Sequence, residues 1–84
     1  MRGKHRKILE AVFSDPVYGN IEWRKTEALF PALGAERTER GGSAVSFVLN
    51  DILSDFHRLH PDKAALRYRV KDARKFLELA GITP

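Results

Sequence analysis

Two of the chain's three histidines, His57 and His60, sit in one short segment, FHRLHP. Arg58 lies between them, Lys63 follows, and Arg40 opens the longer stretch that ends there, RGGSAVSFVLNDILSDFHRLHP. Imidazole titrates near neutrality, so a histidine can accept a proton in one step and return it in the next. Cleavage of an RNA phosphodiester asks for little more. A base activates the 2′-hydroxyl, an acid protonates the leaving oxygen, and positive charge steadies the phosphate. His57 or His60 with Arg40, Arg58 and Lys63 has the side chains for those roles. The same residues also fit a plainer arrangement, in which His60-Pro61 ends a strand and His57 is solvated. A spacing of three with no further nitrogen ligand or cysteine nearby falls short of a zinc site, so neither metal nor cofactor is expected. No glycine-rich loop precedes a helix, and no Ser-His-Asp constellation can be read from the order.

The elements that must hold these residues follow from periodicity. Val45, Phe47 and Leu49 alternate with Ala44, Ser46 and Val48, the period-two pattern of a strand with one apolar face. Asn50-Asp51 is a two-residue turn, and residues 52–58 return as another strand. Ile52 and Phe56 face the core there, which puts His57 on the opposite face. Residues 35–39 form a charged edge strand, joined to the hairpin by a turn at Arg40-Gly41-Gly42.

Helices flank this sheet. Residues 4–13 carry a stripe of His5, Ile8, Leu9 and Val12, ended by Pro16 and followed by a connector at 17–20. Asn20 is placed to cap a second helix, with Glu22 in its first turn. Trp23, Thr26, Leu29, Phe30 and Leu33 repeat on its inner face; Pro31 should loosen the last turn and Gly34 should stop it. Trp23 reads as a packing residue rather than a platform for a base. Pro61-Asp62 breaks the third strand, and Lys63 to Leu66 is open between loop and early helical turn. From Arg67 a last helix buries Val70, Ala73, Phe76, Leu77 and Ala80, stops at Gly81, and turns Arg67, Arg69, Lys71, Arg74 and Lys75 outward. The order is α-α-β-β-β-α, an α+β domain with helices on one face of a small antiparallel sheet and the other face open.

Eighty-four residues make one domain, divided as an extra helix and connector at 1–20 and a core at 21–84. An apolar fraction of 43% argues against disorder. The absence of cysteine removes disulfides and thiol chemistry and suits a reducing compartment. No apolar run approaches the roughly 18 residues of a membrane span, and no secretory signal follows MRGKHRK, so a cytoplasmic protein is expected. Fifteen Lys and Arg against 11 Asp and Glu, a net charge of +4, favour nucleic acid or an acidic protein as partner. A core this small also leaves a place for a permanent partner.

The segments WRKTEALFPALGAE, RGGSAVSFVLN, FHRLHP and VKDARKFLELAGI, in that order, resemble the HicA toxins of bacterial toxin–antitoxin systems. The likeness covers about two-thirds of the chain, and the first helix resembles the N-terminal extension of a longer subgroup. It implies a fold like double-stranded-RNA-binding domains and the activity of a metal-independent messenger-RNA endonuclease. It also implies a bacterial, cytoplasmic setting and a HicB-like antitoxin that holds the enzyme inactive. RNA would then lie near Gly42, Ser43, His57 and His60, with Arg40, Arg58, Lys63 and Arg67 on its phosphates. His60 matches a recurrent family histidine. The family's catalytic histidine, however, follows Gly-Ser at the start of the second strand, and here Gly42-Ser43 is followed by Ala44. Ala44 is then either an inactivating replacement or the mark of a divergent branch, in which His57 and His60 take over or activity is lost.

Overall fold

The computed structural model describes residues 3–14, 21–41, 44–57 and 67–84, with the backbone alone for Arg67 and Tyr68. Helix α1 spans Gly3–Val12 and α2 spans Trp23–Ala32. Strands β1 (Glu36–Glu39), β2 (Ala44–Leu49) and β3 (Ile52–His57) follow, and α3 (Arg67–Leu79) closes the chain. The α+β class and the α-α-β-β-β-α order are those the periodicities predict. The expected helix end at Pro16, the connector at 17–20, Asn20, the break at Pro61 and the segment 63–66 lie outside the described residues.

The sheet is antiparallel in the order β1-β2-β3. Asn50 and Asp51 adopt φ of 50° and 68°, both left-handed, as a two-residue turn between twisted strands requires. Such a turn pairs Leu49 with Ile52 and thereby sets every pair behind it, down to Val45 with Phe56 and Ala44 with His57. On the other side Glu36 pairs with Val48 and Glu39 with Val45.

Odd-numbered residues of β2 face the helices. Val45 and Phe47 are fully buried and Leu49 nearly so. Phe30 of α2 is the hub of this core, with ring centroids 4.9 Å from Phe47, 5.2 Å from Phe76 and 5.4 Å from Phe56. Trp23 packs 5.3 Å from Phe56, a core residue as its position in the helical stripe predicts.

Helices α2 and α3 end the same way. Gly34 and Gly81 take φ of 106° and 81°. Ala35 N–H then bonds Phe30 O at 3.0 Å, and Ile82 N–H bonds Leu77 O at 2.8 Å, the six-to-one bonds of the Schellman motif. Pro31 is the penultimate residue of α2, three before Gly34, and contributes no N–H to the last turn. The start of α2 differs from expectation: the cap position is Glu22, without a side-chain cap bond, so the helix is held by packing of Trp23 rather than by its cap.

Two residues expected on the solvent face of α3 are engaged instead. Arg69 is buried with its guanidinium 5.2 Å from the centre of the Trp23 ring. Arg74 donates through Nε to Val12 O at 3.0 Å and through Nη2 to Ser14 O at 2.6 Å. Those are carbonyls at the C-terminal end of α1, where a cation is favoured. Arg74 therefore fastens α1 to α3, and Asn50 Nδ2, donating to Ala80 O at 2.7 Å, ties the hairpin turn to the end of the same helix. Among the described residues no helix is long and apolar enough to cross a membrane.

Candidate nucleic-acid interface

The face of the sheet turned away from the helices is a grid of three cross-strand rows, because side chains two apart on a strand share a face. Glu36, Val48 and Leu53 form one row, and Thr38, Ser46 and Asp55 the next. The third is Ala44 beside His57, with Arg40 on the other flank, its N–H donating to Ala44 O at 3.0 Å. Directly opposed residues have Cβ atoms about 5 Å apart, so Ala44 and His57 are neighbours across the hairpin.

Of the residues nominated from sequence, the structure thus brings three into one row: Arg40, Ala44 and His57. All but Ala44, which is half-buried, are exposed. Gly42, Ser43, Arg58, His60 and Lys63 lie outside the described residues, and Arg67 is described only as the first residue of α3. Among the described residues no three His, Asp or Glu side chains converge as a metal would require.

Two residues that sequence reasoning did not nominate join this row to the next. Arg40 Nε donates to Ser46 Oγ at 2.9 Å, and Ser46 Oγ donates to an Asp55 carboxylate oxygen. One hydroxyl, 2% exposed, thereby links β2 and β3 to the residue that follows β1. Their signal was available: with a two-residue turn at 50–51, Ser46 must face Asp55. The contact of Arg40 with Ser46 had none, since it needs the β1 pairing.

The two ends of the grid differ in charge and polarity. Trp23, the first residue of α2, touches Phe56, and Arg69, in the first turn of α3, lies on Trp23, so both helix N-termini sit at the His57 end. Neither first turn holds an acidic residue; α2 carries Arg24 and Lys25 there, and α3 carries Arg67 and Arg69. Cations at a helix N-terminus oppose the helix dipole, at a cost of roughly 0.3–1 kcal/mol each at the surface. Arg24 and Lys25 are exposed there, whereas Arg69 is buried against Trp23 and Glu22 stands at the cap of α2. The opposite end of the grid sets two exposed apolar side chains beside Glu36: Val48 is 37% exposed and Leu53 58%. Beside it, between β3 and α3, a shallow cleft of about 230 Å³ is lined by Leu53, Asp72, Lys75, Phe76 and Leu79.

No family model, no curated protein and no solved structure matches the chain.

Proposed function

We propose that this chain is a HicA-like toxin domain that binds RNA at the Arg40–Ala44–His57 row and acts as a metal-independent endoribonuclease, restrained by a HicB-like antitoxin. The observation that carries the reading is the register of the hairpin. The resemblance assigns the catalytic histidine to the position held by Ala44, and that position lies directly across from His57 and beside Arg40. A base, a second imidazole and a phosphate-holding cation would share one row if position 44 were histidine. The exposed Arg24 and Lys25 in the first turn of α2 support a polyanion at the same end. The exposed apolar pair Val48 and Leu53, with Glu36 beside it, suits the protein partner, an antitoxin, rather than the RNA.

In this reading His57 takes the proton of the 2′-hydroxyl or returns one to the leaving oxygen, and Arg40 holds the phosphate between them. A second reading is favoured by Ala44 itself, whose methyl group transfers no proton. In it the chain is an inactive RNA-binding or antitoxin-binding module of the same fold.

A digest of unstructured RNA by the chain as it stands, H57A, H60A and A44H, with A44H/H57A as the control, decides between them. The toxin reading expects salt-sensitive RNA binding by every variant and cleavage that rises at least tenfold in A44H and falls to background in A44H/H57A. Binding without cleavage in all four establishes the module. Absence of RNA binding at low salt, in A44H as well, removes the toxin reading and leaves of the second only an antitoxin-binding module.

A further inference from the structure

We infer that Ser46 and Asp55 form a built support for Arg40, a relay from β3 through β2 to the residue after β1 that makes its guanidinium a fixed phosphodiester-binding fork beside position 44. The inference deepens the RNA-binding reading above and rests on it for the identity of the ligand.

The argument begins with burial. Ser46 is the middle residue of the open face, yet only 2% of it meets water, in contrast to its exposed neighbours Thr38, Asp55 and Val48. A buried hydroxyl needs partners, and Ser46 has both kinds: it gives its proton to Asp55 and receives Arg40 Nε–H. The direction matters. Because the carboxylate accepts only, the Ser46 proton must point to Asp55, which turns the oxygen lone pairs toward Arg40. Arg40 and Asp55 meet through that hydroxyl rather than as a direct ion pair. The carboxylate therefore orients the arginine without pairing off its charge.

Binding through Nε also determines which part of the guanidinium remains. The two Nη groups form the fork that fits two oxygens of one phosphate, and Arg40 is exposed. A flexible surface arginine loses rotamer freedom when it grips an anion; Arg40 has been ordered in advance by Ser46. Its backbone is pinned as well, by the N–H donated to Ala44. Ser46 and Asp55 are thus positioning residues, acting through Arg40 and not on the RNA.

The test is a double-mutant cycle on binding of a single-stranded RNA, with nitrogen-15 NMR of the Arg40 side chain titrated with inorganic phosphate as a second readout. R40A should weaken RNA binding about tenfold and lower the salt slope by about 0.7, the value of one phosphate contact on a single strand. S46A should weaken binding about threefold, S46T should restore it, and S46A should add nothing once R40A is present. The Arg40 Nε–H signal should be slow to exchange with water, be lost in S46A, and return in S46T. Equal effects of S46A with and without R40A, or an Arg40 Nε–H signal unaffected by S46A, overturn the relay while leaving RNA binding intact. If RNA does not bind but phosphate shifts the Arg40 signal in the unmutated chain and not in S46A, the relay stands as an anion site and the RNA reading falls. If RNA does not bind and phosphate leaves that signal unmoved, both fall.

Discussion

From β2, Val45, Phe47 and Leu49 look into the helices, while Ala44, Ser46 and Val48 look away from them. Six consecutive residues thus serve two surfaces held by different physics. On the helix side, rings within 4.9–5.4 Å of Phe30 exclude water, and stability grows with the apolar area removed. On the open side, a hydroxyl set between an arginine and a carboxylate fixes directions rather than area. The first surface tolerates exchange among apolar side chains of similar volume but not an unpaired polar group. The second depends on which atoms donate and which accept, as a binding surface must.

The contrast is broken most directly at its hub. Phe30→Ala removes the ring shared by Phe47, Phe56 and Phe76 and should cost about 3–5 kcal/mol, a large part of the stability of a domain this small. Urea unfolding measures it, and a loss under about 1 kcal/mol would show that the core is not organised around this residue. Arg74→Ala removes the bonds to the carbonyls of Val12 and Ser14 and should cost about 1–3 kcal/mol. Hydrogen exchange should then speed up in α1 while β2 stays protected; a uniform loss of protection would mean that α1 does not open separately.

Asn50→Ala should cost about 1–2 kcal/mol, because the position needs left-handed backbone and its side chain bonds Ala80 O. Asn50→Gly keeps the backbone and loses only the bond, so its melting temperature should fall between the other two. At the small end stands Leu53→Lys, on the open face with 58% exposure, which should change stability by less than about 0.5 kcal/mol. A cost like that of a core residue would mean that the open face is covered in solution.

Much of the core was legible because period two and period 3.6 are local signals. Leu9, Val12, Phe47, Phe56, Val70 and Phe76 are all buried on the faces their spacing predicts. Arg69 and Arg74 were not legible. A long side chain can bury its stem and aim its head at a ring or a carbonyl, and nothing in helical spacing says which neighbour will be near. The start of α2 was misplaced for a related reason: Asn20 has cap chemistry, but the packing of Trp23 against Phe56 is what begins the helix.

The chain's own order of residues determined the class, the element sequence and the hairpin register. A turn of two residues at Asn50-Asp51 leaves Ala44 no partner but His57, whatever the rest of the molecule does. What only the tertiary structure decided is the company that pair keeps. Strand β1 brought Arg40 to Ser46, and α2 and α3 brought their N-termini to the His57 end. Those contacts join residues that are distant in the chain or belong to separate elements. Their geometry comes from how the layers stack, which no local period encodes.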